Sequence, residues 1–239
     1  AMDFLEAVAF EPVPEIARES NTHITAEENS SGWKKQKAGT ASESTQLSFS
    51  HNITAAYSKE LSEVDAALRS APYEMGFSPL DWEVITDFQI LKNPGVYEVE
   101  KMRTIALMAA QFNMNNKKLG RDMMHVAEKA GVLPDEQDGS RKNRTCIMTA
   151  LGKVLNFDIV RQLHCALIHL GLDSSQCYDR LLHCVVMLCM MQHGAPFLPL
   201  LMMFSTLAAA EHKVTTAYGV SKRGYGGRKR MARGEIPVQ

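Results

Sequence analysis

The chain has 239 residues, 45% of them hydrophobic and 22% charged, which is apolar enough to bury a core and excludes a wholly disordered or fibrous chain. Its formal net charge of −1 excludes a uniformly basic protein, yet the charge is unevenly divided: −8 over residues 1–114, +3 over 115–153, −2 over 154–212 and +6 over 213–239. Positive charge confined to two places points to a polyanionic partner. With 14 Met and 7% aromatic residues, and many Ala, Leu, Glu and Lys, the composition favours helix over strand and predicts an all-α fold.

Residues 2–10 form a short amphipathic piece with Phe4, Leu5, Val8 and Phe10 apolar. It has too little chain around it to fold alone and is expected to dock on something. Residues 15–50 are rich in Ser, Thr, Glu, Asn, Gly and Lys with little apolar periodicity, so residues 1–50 read as a largely flexible oligomerisation arm. The opening Ala-Met-Asp-Phe-Leu-Glu lacks the basic region and apolar run of a signal peptide. Five cysteines, Cys146, Cys165, Cys177, Cys184 and Cys189, are an odd number in apolar helical surroundings, which predicts reduced, buried thiols.

The folded body is expected to start near Ile53. Its first helix ends around Ser70-Ala71-Pro72, and Ser78-Pro79 opens a second that runs to Leu91. After an Asn93-Pro94-Gly95 turn, the segment Val99–Phe112, apolar on every side in its second half, predicts a central core helix. A basic amphipathic helix follows, with Leu119, Met123, Val126, Ala127 and Ala130 on one face, Lys117, Lys118 and Arg121 on the other, and Gly131 at its end. The acidic loop Pro134–Gly139 reads as a joint, giving an N-terminal lobe over residues 51–136 and a C-terminal lobe over 137–219.

The second lobe opens with Arg141, Lys142 and Arg144 at a helix start, where cations oppose the macrodipole. Helices are predicted over Thr145–Leu155, Phe157–Leu170, Ser174–Gln192 and Pro199–Tyr218, with no strand anywhere. The apolar region Leu181–Ala210 is split by Gln192-His193-Gly194, Pro196 and Pro199 into pieces short of the ~20 residues a membrane span needs. Residues 220–239 form a Gly- and Arg-rich tail whose Lys222, Arg223, Arg228, Lys229, Arg230 and Arg233 suit a nucleic-acid backbone.

For catalysis there is no phosphate-binding glycine loop, nucleophile elbow, His-Glu-x-x-His or Cys-x-x-Cys, so no enzyme is expected. Cys189 and His193, with His183 and Cys184, have a conceivable zinc spacing, but buried Cys and satisfied His are far commoner on apolar helices, and no metal or cofactor is expected. Single-stranded RNA binding needs cations for phosphates and rings for bases. Lys117, Lys118 and Arg121 in the first lobe and Arg141, Lys142 and Arg144 in the second supply the cations, facing one another across a cleft. Tyr73 and Phe77, at a helix junction, supply candidate rings.

Ala55-Ala56-Tyr57, Pro72-Tyr73-Glu74-Met75-Gly76-Phe77-Ser78-Pro79, Val84-Ile85, Gly95, Glu100-Lys101-Met102, Asn115-Asn116-Lys117-Lys118 and Met123-Met124 follow in an order that resembles the N-terminal lobe of phlebovirus-like nucleoproteins. Thr149-Ala150-Leu151 and Asp158-Ile159-Val160-Arg161-Gln162 are similar to the start of the second lobe in phleboviruses and tenuiviruses. The resemblance covers residues 53–213 and carries Lys117 over to the family's basic tag, while Met148 stands where a basic residue is the rule. It implies a two-lobed helical protein that encapsidates genomic single-stranded RNA, an N-terminal arm that docks on the next protomer of a homo-oligomer, a viral RNA polymerase as partner, and a place in the virion and host cytoplasm. The rival from another class is a helical viral matrix or scaffold protein whose basic tail contacts membrane or capsid.

Overall fold

The structure is a computed structural model that describes residues 22–42, 47–96, 98, 101–172, 181–216 and 219–226. The described residues divide into two compact units. The larger holds residues 22–121 and 195–226, the smaller residues 122–194. The C-terminal segment therefore belongs to the same body as the N-terminal half, and the expected lobe boundary at residues 136–137 is not where the chain divides.

In the larger unit, α1 (Ala26–Lys34) is started by Thr25, whose hydroxyl accepts from the Glu28 N–H, and it carries Glu27 and Glu28 in its first turn and Lys34 in its last. Trp33 of α1 is fully buried, as are Ile24 and Asn29, so this stretch of the expected flexible arm is core. Too few apolar residues mark it in sequence, but Trp33 alone removes a large ring from water. Helix α2 (Phe49–Ala55) follows, and Trp33 meets Phe49 edge-on at 5.7 Å in a cluster with Ala56, Ala110 and Met114.

Helix α3 (Lys59–Met75) begins at Ser58, whose side chain accepts from the Leu61 N–H, and continues through Pro72, where sequence punctuation predicted its end. It stops at Gly76, which has φ 70° and no room for a Cβ beside Leu198 and Leu201. α3 packs against α1 and against α7 (Phe197–Ala209).

The all-α expectation is overturned by a five-stranded mixed sheet. Where a helix was predicted to run from Ser78-Pro79 to Leu91, a 3-10 turn at Leu80–Glu83 leads into strand β1 (Val84–Leu91). The predicted core helix is instead strand β2 (Met102–Leu107), and helix begins only at α4 (Ala110–Lys129). The last predicted helix ends at Ala209, and its remainder is strand β3 (Glu211–Thr216), followed by the short strands β4 (Gly219–Val220) and β5 (Tyr225–Gly226).

β1 pairs antiparallel with β2 and parallel with β3, and both β4 and β5 pair antiparallel with β3. The physical reason is shared by all three corrections. Val84, Ile85, Thr86, Phe88, Thr104, Ile105, Val214, Thr215 and Thr216 are β-branched or aromatic residues that fit a pleated surface, and a short apolar run reads as buried helix or as strand until its partner is known.

The smaller unit takes up residues 122–129 of α4, a loop, α5 (Cys146–Gln162) and α6 (His183–Gln192). α5 runs unbroken where two helices were predicted, and none of its residues is buried. Cys146, Cys165 and Cys184 are free and exposed and Cys189 is half-buried, which corrects the expectation of buried thiols; Cys177 lies outside the described residues. No helix among the described residues is long and apolar enough to cross a membrane.

At the centre of the larger unit Arg69 is 3% exposed. Its Nε donates to Asn115 Oδ1 at 3.0 Å, its Nη1 donates to Asn29 Oδ1, and its guanidinium lies 5.6 Å over the Trp33 ring. Burial is the largest influence on this group, partly offset by Asp65 and Glu28, and lowers its pKa to about 10. Arg69→Ala leaves two amide oxygens without their donor and is expected to destabilise the chain by about 3–5 kcal/mol, measured as a loss in the urea unfolding midpoint. A change below about 1 kcal/mol would show that the network is dispensable.

Candidate nucleic-acid interface

The basic face of α4 makes contacts inside its own unit. Lys118 is 6% exposed, and its Nζ lies 3.2 Å from Glu28 Oε1, which Arg121 Nη2 approaches at 3.3 Å. Lys117 donates to Gln36 Oε1 and sits 5.8 Å over the Phe49 ring. These residues tie α4 to the α1 region; Lys118 is buried there, while Lys117 and Arg121 keep exposed side chains. The pairing was hidden in sequence because Glu28 and Gln36 lie in a stretch that reads as an arm.

In the smaller unit Arg141 is equally committed. Its Nε and Nη2 donate to the two Glu128 carboxylate oxygens at 2.6 and 2.7 Å, and its Nη1 donates to the Pro134 and Gln137 carbonyls. The hydrogen bond from Arg141 holds the Glu128 carboxyl below its ordinary range and raises Arg141 in turn. Arg144 lies 3.1 Å from Asp135 and 3.6 Å from Asp138, while Lys142 is exposed. The acidic loop thus serves as counter-charge for the arginines.

Of the two candidate rings, Tyr73 is 1% exposed and belongs to the core. Phe77 is 43% exposed and lines an apolar groove of about 930 Å³ with Leu68, Leu80 and Trp82. No cation lines that groove. The arm residues Phe4, Leu5, Val8 and Phe10, and the tail residues Arg228, Lys229, Arg230 and Arg233, lie outside the described residues; Lys222 and Arg223 are exposed.

The sheet supplies what these clusters do not. Residues opposite one another in a sheet share a face, and the registers Phe88↔Ile105, Phe88↔Thr215 and Thr215↔Val220 set four residues in a row across β2, β1, β3 and β4. Ile105, Phe88 and Val220 are 43%, 44% and 48% exposed. Thr215 Oγ1 is shut off from water and has no hydrogen-bond partner among the described residues. Arg103, opposite Ile90, and Lys213, opposite Thr86, lie on the same face to either side of Phe88. Arg103 is exposed, and among the described residues neither cation forms an ion pair.

The opposite face is closed by a polar cluster. Asp87, 1% exposed, accepts from Tyr225 Oη and lies 3.1 Å from His212 Nδ1, with the His212 and Tyr225 rings stacked at 5.3 Å. None of these residues was singled out by sequence. The signal for the row was its β-branched and aromatic content, and its central pair, Phe88 and Thr215, is more than a hundred residues apart in sequence.

No protein-family model and no curated protein matches this chain. The reading of the site therefore rests on its own geometry.

Because the folded-state Glu128 carboxyl lies below its unfolded value, its contribution to stability is complete above the unfolded pKa of about 4.3 and is lost as pH falls through the lower folded value. Glu60, lowered by its own backbone N–H and by Ser58, has the same sign. Glu128→Gln is expected to flatten the fall in melting temperature on acidification below that range. An unchanged acid slope would show that the Glu128–Arg141 contact does not hold in solution.

Proposed function

We propose that the chain binds single-stranded RNA with little sequence preference, across the exposed face of its sheet. The observation that carries this reading is the row Ile105–Phe88–Thr215–Val220 with Arg103 and Lys213 on the same face. Phe88 offers a face on which an unpaired base stacks, Ile105 and Val220 offer apolar contact to its neighbours, and the cations meet the backbone. A duplex buries its base faces and gains nothing from such a surface. The row carries no amide or carboxylate side chain, so it reads no base edge.

Packaging of a viral genome, self-association through the Phe4–Phe10 segment and a polymerase partner were implied by resemblance to an all-helical, two-lobed body. The sheet departs from the all-helical part of that expectation, and the proposal stops at RNA binding.

Fluorescence anisotropy with a labelled uridine oligomer tests it. Affinity is expected to fall steeply with salt, and Phe88→Ala is expected to cost about 1–3 kcal/mol of binding while circular dichroism stays unchanged. Preference for a duplex, or Phe88→Ala binding as wild type does, would overturn the reading and favour a protein-docking face.

A further inference from the structure

Past Val220, at the end of the exposed row, the edge strand leaves its ladder. β4 pairs with Thr215 and Thr216, and β5 pairs with Glu211 and His212. Between them Lys213 and Val214 of β3 face a longer stretch, Ser221 to Gly224, so the chain bulges outward. A bulge at a sheet edge re-aims its side chains, and here those side chains are Lys222 and Arg223, both exposed and without an ion pair among the described residues.

The bulge is held at both ends. On one side the Ser221 N–H donates to the Val214 carbonyl at 2.9 Å, the Val214 N–H donates to Ser221 Oγ at 3.1 Å, and Ser221 Oγ donates to the Arg223 carbonyl at 3.0 Å. On the other side Tyr225 is anchored on buried Asp87, which His212 also contacts. The Glu211 side chain packs against the Gly224 backbone so closely that a Cβ there would collide with it. With the backbone already held, the two cations give up side-chain freedom but little backbone freedom when they bind. Residues 221–224 carry two cations and no carboxylate, and Glu211 lies beside Gly224, so the loop with Glu211 counted is net positive.

We infer that the bulge at residues 221–224 is a phosphate clamp for the RNA strand that lies across the sheet. This rests on the reading of the sheet face as the RNA surface and assigns the strand's path. The strand runs along the row, perpendicular to the β-strands, over a distance of about 14 Å from β2 to β4, and its backbone ends on Lys222 and Arg223. Asp87 and Ser221 are positioning residues that hold the clamp in shape.

Salt titrations of uridine-oligomer binding separate the two ideas. Lys222→Ala combined with Arg223→Ala is expected to reduce the slope of log affinity against log salt by about 1.4, two phosphates' worth for a single strand. Glu211→Gln is expected to tighten binding at low salt, and Phe88→Ala to weaken binding with the slope unchanged. Circular dichroism of each variant verifies the fold. An unchanged slope in the double variant would overturn the clamp. A lowered slope in the double variant beside a silent Phe88→Ala would keep the clamp and overturn the sheet-face reading, and no RNA binding by the wild-type chain would overturn both.

Discussion

A guanidinium taken out of water has to be surrounded by acceptors, and the larger unit is assembled around that requirement at Arg69. The group reaches Asn29 on α1 and Asn115 on α4, and Asn115 returns a bond from its Nδ2 to the Arg69 carbonyl at 3.0 Å. Asn29 donates in turn to the Ser62 carbonyl, while Asp65 accepts from Trp33 Nε1 at 2.7 Å and from Gln111 Nε2 at 2.8 Å. Each of these groups is costly to bury alone and is satisfied only with the others in place. Three helices from separate parts of the chain are thereby held in one arrangement.

That arrangement decides which cations remain for a partner. Glu28 sits one helical position before Asn29 on α1 and meets both Lys118 and Arg121, so part of the most conspicuous basic cluster in the sequence is spent on closing the fold, with Lys118 buried. The arginines of the smaller unit are matched in the same way by Glu128, Asp135 and Asp138. Arg103 and Lys213 on the sheet, and Lys222 and Arg223 at its edge, are among the cations that form no ion pair among the described residues. Cation count therefore misleads as a guide to a binding surface, because a cation answered by a carboxylate at hydrogen-bond distance has little field left for phosphate.

The sheet owes its exposed row to one parallel pairing. β1 alone with β2 would be a hairpin, marginal in water. Alignment of β3 on the other side of β1 places Thr215 beside Phe88 and brings β4 and β5 with it. The same alignment sets His212 next to Asp87 on the reverse face, so the row that is proposed to meet RNA and the cluster that pins the clamp are two sides of a single register. A slip of one residue would exchange them.

Local signals were legible in the sequence. The turn at Asn93-Pro94-Gly95, the stop at Gly131 and the split at Gly194 all depend on backbone freedom or its loss at single residues, and Lys222 and Arg223 were visible as cations of a basic tail. The fold class was not legible. Residues 84–91 and 102–107 carry apolar residues that suit a helix among helices as well as a strand among strands, residues 211–216 carry β-branched residues directly after an apolar helix, and hydrogen bonds between separate segments decided between the two. Nor was the fate of Lys117, Lys118 and Arg121 legible, since their partners Glu28 and Gln36 lie in a stretch where sparse apolar residues hid the buried Trp33. Periodicity and capping are properties of a few consecutive residues, and sequence carries them openly. Strand pairing, charge neutralisation and the row across the sheet are relations between segments, and only the tertiary structure brings those segments within reach of one another.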